Sequence, residues 1–314
     1  MVALLHLVDK PEGWTSHDVV ARLRTILGER RVGHAGTLDP FATGLLVAAE
    51  GRATGLLTAL SLLPKRYRAT LRLGVATDTQ DRTGVPLRST PAPALPSRAA
   101  VDAALGRFRG ALEQRPPLFS AVKIGGERLY RAARRGEEVE RPTRPIHVYA
   151  LERAATAEPP EEELTLDLTV SRGTYVRTIA HDLGETLGCG AHLSELRRLS
   201  IGPFDVARAG RVEREGGWDA ASFRARAVRP EEALSFLPRI VLSTAEAARL
   251  RDGLAPSHQA ARVQESDAGY PLPPGASGWP MALLAPEGAL LALALPAADQ
   301  AEGEPLRLQR VVAG

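Results

Sequence analysis

The sequence predicts an α+β fold, a mixed and largely antiparallel sheet with helices, and three observations carry that prediction. Strand-like and helix-like patterns of modest length follow one another along the 314 residues without a steady strand–helix–strand rhythm, which argues against a doubly wound parallel sheet. The clearest strand, Lys65 to Gly74, alternates Tyr67, Ala69, Leu71 and Leu73 with Arg66, Arg68, Thr70 and Arg72. That period of two belongs to a sheet with one buried and one wet face, a habit of antiparallel pairing. The composition then changes near residue 239: residues 240–314 lack lysine and are rich in Ala, Leu, Gly and Pro. The expected division is therefore a larger domain over 1–238 and a small β-rich domain over 239–314, near the lower size for independent folding.

Hydrophobic residues make up 44% and charged residues 25% of the chain, ordinary for a globular protein with a real core. Aromatics are only 4%, so aliphatic side chains must fill that core. The single cysteine, Cys189, excludes an internal disulfide and a cysteine-clustered zinc site. Met1 to Lys10 lacks a basic region followed by an apolar core and is not expected to be a signal peptide. The most apolar stretch, Met281 to Leu295, is broken by Pro286-Glu287-Gly288 and reads as two strands joined by a turn, not a membrane span. A cytoplasmic, monomeric protein with no membrane partner is expected. Of 40 Lys+Arg and 37 Asp+Glu, residues 240–314 hold 5 and 8, so the acidic tail leaves an excess of basic charge on the rest. Such asymmetry favours a polyanion-binding first part.

In chain order, Ser16 is placed to cap a helix whose Val19, Val20, Leu23, Ile26 and Leu27 share one stripe. Leu45 to Ala49 is apolar enough for a buried strand, and Gly51 to Leu63 reads as a helix stopped by Pro64. Ser97 caps a helix to about Arg107. Residues 106–144 form a basic region with 10 Arg+Lys against 5 Glu, in which Leu129 to Arg135 suits a short helix. Ile146 to Leu151 and Leu164 to Val170 read as strands, Ser171 to Arg177 opens a helix reaching about Leu187, and irregular chain is expected after Arg197-Arg198 to about Pro238. Thr244 to Arg251 reads as a helix closed by Asp252-Gly253.

The chemistry centres on Gly33-His34-Ala35-Gly36-Thr37-Leu38-Asp39-Pro40-Phe41-Ala42-Thr43-Gly44. Proline biases the residue before it towards extended backbone, so Asp39 is expected on a rigid, non-helical loop. Taken alone this is also an ordinary Gly/Pro turn. The chain contains no G-x-x-x-x-G-K-[ST] phosphate loop and no G-x-S-x-G elbow. No third ligand of metal type stands near His34 and Asp39. There remain one carboxylate, an aromatic strand residue at Tyr67, and Tyr175 with Arg177 at a strand-to-helix junction. Tyrosine stacks on bases and arginine keeps a carboxylate ionised, so the set would suit chemistry on a nucleotide; core packing is the plain alternative for each tyrosine.

Asp9-Lys10-Pro11-Glu12-Gly13, the Gly33–Gly44 stretch, Lys65-Arg66-Tyr67 and Gly173-Thr174-Tyr175-Val176-Arg177-Thr178 together resemble the bacterial TruB family of tRNA pseudouridine synthases. Thr77-Asp78-Thr79-Gln80-Asp81, Pro116-Pro117-Leu118-Phe119-Ser120-Ala121-Val122-Lys123 and Gly188-Cys189-Gly190-Ala191-His192-Leu193 extend the likeness, which runs in order from about residue 5 to 205. The tail resembles the family's small C-terminal PUA-type RNA-binding domain more loosely. The resemblance implies a pseudouridine-synthase fold and isomerisation of uridine 55 in the tRNA T-loop, without cofactor or metal. It implies that Asp39 is the catalytic carboxylate, that Tyr67 stacks on the target base, and that Arg177 pairs with the aspartate. His34, Tyr175 and Leu196 match pocket-lining positions, Lys10 a lysine at the pocket edge, and Asp81 an acidic position of unassigned role. Residues 106–144 contain the segment matching the insertion that closes over the T-loop, and the tail is expected near the acceptor stem. The rival reading is a tRNA-binding or tRNA-folding protein whose isomerase activity is incidental.

Overall fold

The computed structural model describes residues 3–90, 96–120, 123–124, 127–128, 140–154, 162–213, 216–266 and 268–312. The chain packs as two units, Met1–Leu63 with Ser200–Gly314, and Pro64–Leu199. The helix expected at Leu129 to Arg135 lies outside the described residues.

The first unit opens with β1 (Ala3–Lys10), helix α1 (Ser16–Leu27), β2 (Val32–Ala35) and β3 (Thr43–Gly51). β3 pairs antiparallel with both β1 and β2. Its apolar run is explained by burial on both faces. Leu45, Val47 and Ala49 join one core with Leu5, Leu56 and Leu60, whereas Leu46 and Ala48 join a second with Val19, Val20, Leu23 and Leu27 of α1. The N-cap of α1 is Thr15 and not Ser16: Thr15 and Asp18 form a reciprocal capping box, at 3.0 Å and 2.8 Å. Ser16 is thereby released for another task. The helix expected over Gly51 to Leu63 is a 3-10 turn, Arg52–Leu56, followed by a short α2 (Leu57–Ser61).

The second unit holds β4 (Lys65–Leu73), the hairpin β5 (Val75–Thr77) and β6 (Pro86–Ser89), α3 (Arg98–Leu105) and β7 (Gly110–Gln114). After the small pair β8 (Lys123–Ile124) and β9 (Glu127–Arg128) come β10 (Arg144–Arg153), β11 (Glu163–Val170), α4 (Val176–Thr186) and β12 (Ala191–Ile201). The sheet order is β12-β4-β11-β10-β7, and β4–β11–β10–β7 is antiparallel throughout. β4 buries Lys65, Tyr67, Ala69, Leu71 and Leu73 while Arg66, Arg68 and Arg72 stay exposed. Arg68 faces Asp167 in register and grips it through two bonds of 2.9 and 2.8 Å.

The chain after Arg197-Arg198, expected to be irregular, carries regular elements. β12 continues to Ile201, and its buried positions, Ala191, Leu193, Leu196, Arg198 and Ile201, skip a beat after Leu193 and include an arginine. Both features hide the period of two. The first unit then resumes with β13 (Phe204–Asp205), β14 (Gly210–Arg211), α5 (Ala220–Ala225) and α6 (Pro230–Ala233). It closes with β15 (Arg239–Val241), α7 (Thr244–Arg251), β16 (Met281–Leu284), β17 (Leu290–Ala294) and β18 (Leu308–Val311), whose strands form a separate four-stranded sheet. β16 and β17 are the antiparallel pair expected from the broken apolar stretch. Among the described residues no helix is long and apolar enough to cross a membrane.

Candidate active site

In the first unit, β2 delivers the chain into the turn that carries Asp39. Gly33 packs closely, since a Cβ there would lie 2.7 Å from a Leu57 methyl carbon and that side chain would have to shift. Gly36 is demanded by conformation, with φ of 88°. His34, half-buried, sits opposite Ala48 of β3. The turn is then pinned on each side of Asp39. Before it, the Leu38 N–H donates to the Ser16 hydroxyl at 2.9 Å, and that hydroxyl lies 3.3 Å from the Leu38 carbonyl. After it, the Pro40 carbonyl accepts the Gly13 N–H at 2.9 Å and the Lys10 ammonium at 3.2 Å. Asp39 itself accepts the Ala42 N–H through its carbonyl at 3.1 Å, and its side chain is half-buried.

Lys10, matched in sequence to a pocket edge, is fully buried. Its ammonium also donates to the carbonyls of Pro11 at 2.9 Å and Trp14 at 2.6 Å. A buried cation is expensive unless its donors are used, and here they join residues 10–14 to the Asp39 turn.

In the second unit, Tyr67 and Leu196 lie on the buried sides of β4 and β12. Arg198, also fully buried, donates from Nη1 to the Tyr67 hydroxyl at 3.4 Å, and its guanidinium carbon lies 6.0 Å from the ring centroid. Lys65, two residues before Tyr67 on the same face, has its amine pushed down to about 7 by burial, with the charges of Arg198 and Arg172 adding to the effect.

Arg177 is the second residue of α4 and is almost wholly buried. Nη1 donates to the Thr79 carbonyl at 2.9 Å and to the Asp81 carboxylate at 3.3 Å, and Nη2 donates to the Phe119 carbonyl at 3.1 Å. Asp81, the acidic position without a role in the sequence reading, is thus the acid that holds Arg177 within this unit. The other Asp81 oxygen accepts from the Thr79 hydroxyl, the Thr83 N–H and the Thr83 hydroxyl at 2.9, 2.9 and 2.6 Å. Gln80, next to it, has φ of 64°, unusual outside glycine. Its side-chain oxygen accepts the Thr178 hydroxyl at 2.9 Å, and its carbonyl the Leu193 N–H at 3.0 Å. Tyr175, half-buried, is the residue from which α4 starts.

Ser16, Asp81, Gln114 and Arg198 shape these two places and were not singled out for such work from sequence. A glutamine just ahead of Pro116-Pro117 and an arginine inside an apolar alternation were the available signals. Among the described residues no three His, Cys, Asp or Glu side chains converge in a way that could hold a metal ion.

Comparison with known proteins adds the family. The model described as "TruB family pseudouridylate synthase (N terminal domain)" matches residues 24–176, and "tRNA pseudouridylate synthase B C-terminal domain" matches residues 177–214. A "tRNA pseudouridine synthase B" of Geobacter sulfurreducens is 46% identical over 270 residues, 86% of each chain. One of Thermobifida fusca is 43% identical over 293 residues, 92% of each. Among solved structures, a chain of a Cbf5-Nop10-Gar1 complex superposes with a TM-score of 0.71 at 27% identity, covering 98% of this chain and 84% of that one. With that identity sustained over most of its length, this chain belongs to the TruB family of pseudouridylate synthases and is an isomerase of the α+β pseudouridine-synthase fold.

Proposed function

We propose that the protein converts uridine 55 in the T-loop of tRNA to pseudouridine, with Asp39 as the catalytic carboxylate. The observation that carries this reading is the Asp39 turn, where a half-buried carboxylate stands between two residues whose backbones are pinned by Ser16, Gly13 and Lys10. Relatives that share this sequence at 43–46% identity bear the name tRNA pseudouridine synthase B.

The reaction breaks the C1′–N1 bond, turns the uracil and joins C5 to C1′, so the product has the atoms of the substrate. One ionised carboxylate suffices for such work, whether it attacks covalently or removes a proton from the sugar. The base has to leave its stack, at a cost of a few kcal/mol. In this reading Tyr67 offsets that cost by stacking, while His34, Tyr175 and Leu196 line the nucleotide pocket. Arg177 keeps the carboxylate ionised, and Lys10 supports the turn at the pocket edge. Residues 106–144 grip the T-arm through phosphate attraction that weakens with salt. Residues 239–314, with their own sheet and a core of Ile240, Leu250, Leu283 and Leu291, serve as the PUA-like RNA-binding domain near the acceptor stem. The protein works as a cytoplasmic monomer.

The test is to incubate an unmodified tRNA transcript with the purified protein and map pseudouridine along it. Modification at position 55 alone supports the proposal. An unmodified transcript, or modification confined to another stem or loop, overturns it.

A further inference from the structure

One buried side chain joins the foot of the 106–144 region to the start of α4. Gln114, the last residue of β7, is 5% exposed. Its Nε2 donates to the Tyr175 carbonyl at 3.0 Å, and its Oε1 accepts the Tyr175 N–H at 2.8 Å. The side-chain amide thus closes on one residue's backbone from both sides, as a neighbouring strand would. A buried amide is costly unless bonded, and only this orientation satisfies a donor and an acceptor at once.

Tyr175 is where the direction of α4 is set. It has no side-chain cap, has extended backbone at φ of −95° and ψ of 108°, and passes its carbonyl to the N–H groups of Thr178 and Ile179, both at 3.2 Å. Fixing its two backbone dihedrals therefore fixes the exit of its own ring and the base of the helix that carries Arg177. Five residues after Gln114, the Phe119 carbonyl accepts Arg177 Nη2. The segment 114–120 thus holds two site residues at separate points.

We infer that Gln114 is a positioning residue for uridine isomerisation, holding Tyr175 in its working orientation and tying it to the foot of the RNA-gripping region. The inference rests on the assignment of Tyr175 to the nucleotide pocket. It predicts a loss in the chemical step with little loss in RNA affinity, because Gln114 is buried and its side-chain amide is committed to Tyr175.

The experiment compares single-turnover pseudouridine formation and tRNA binding for the full-length protein and its Gln114→Met, Gln114→Glu and Tyr175→Leu variants. Gln114→Met keeps the volume and removes both bonds. Gln114→Glu keeps the acceptor and sets a carboxylate against the Tyr175 carbonyl. For each, turnover should fall about 10²-fold while tRNA affinity changes by no more than about threefold, since a misplacement of about 1 Å costs that much in rate. Turnover of both variants within about twofold of wild type, or a loss matched by an equal loss of affinity, overturns the inference. Should Gln114→Met fail to fold, Gln114→Glu decides by the same criterion. Tyr175→Leu separates the two levels. Unimpaired turnover there removes Tyr175 from the pocket and the basis of the inference with it. Slow Tyr175→Leu beside normal Gln114 variants leaves the pocket standing and rejects the role of Gln114.

Discussion

The Asp39 turn and the start of α4 hold their site residues by different means. Around Asp39 the restraints fall mainly on backbone: Ser16 fastens Leu38, while Gly13 and Lys10 fasten Pro40. Around Arg177 the restraints run through side chains, from its guanidinium to Asp81 and from Asp81 to Thr79 and Thr83. A backbone clamp fixes where a carboxylate is carried. A side-chain network fixes the orientation of a charge and couples it to each of its partners. The first place should therefore loosen when Ser16 or Lys10 of the clamp is changed, and the second when Asp81 of the network is.

The largest effect should come from breaking the network. Asp81→Asn removes the carboxylate from a buried ion pair with Arg177, which should cost roughly 3–5 kcal/mol of stability. Amide exchange should quicken over residues 176–180 and stay unchanged over 38–42. Equal quickening in both stretches would erase the contrast between clamp and network. Lys10→Met is the reciprocal case. It removes a charged donor from three carbonyls, at a cost of roughly 3 kcal/mol, and the faster exchange should now appear at residues 38–42.

A smaller effect, read as a slope, concerns Lys65. Its amine is at about 7 in the folded protein against 10.5 for an ordinary lysine. Below about 7 it is charged in both states and its burial penalty is felt in full. Between the two values the unfolded chain binds the proton and the folded one does not, so stability rises with pH across that window. Denaturant unfolding at pH 7 and pH 9.5 should therefore show the gap between Lys65→Met and wild type moving in favour of wild type at the higher pH. A gap independent of pH would place the amine near its ordinary value.

The parts legible in the sequence were those whose signals are local. The alternation of Lys65 to Gly74 and the apolar run at Leu45 to Ala49 reappear as β4 and β3. The Gly/Pro content of residues 33–44 foretold a rigid turn. What stayed hidden depends on partners far along the chain. Asp81 had no assignable role because Arg177 lies 96 residues away, and Gln114 meets Tyr175 across 61. Ser16 was misread as a cap because Thr15, Ser16 and Asp18 all suit a helix start. Only the structure shows Thr15 taking the capping box and Ser16 turning to Leu38. β12 escaped because a buried arginine stands where an apolar residue was awaited.

In the proposed reaction the clamped carboxylate does the chemistry and the rest of the molecule holds the RNA and the base. Asp39→Asn tests it most directly, because it removes the charge and keeps the shape of the turn. Pseudouridine formation on an unmodified tRNA transcript and binding of the same transcript should be measured side by side. No detectable pseudouridine is expected, with tRNA affinity nearly intact. Full activity of the purified variant would contradict it.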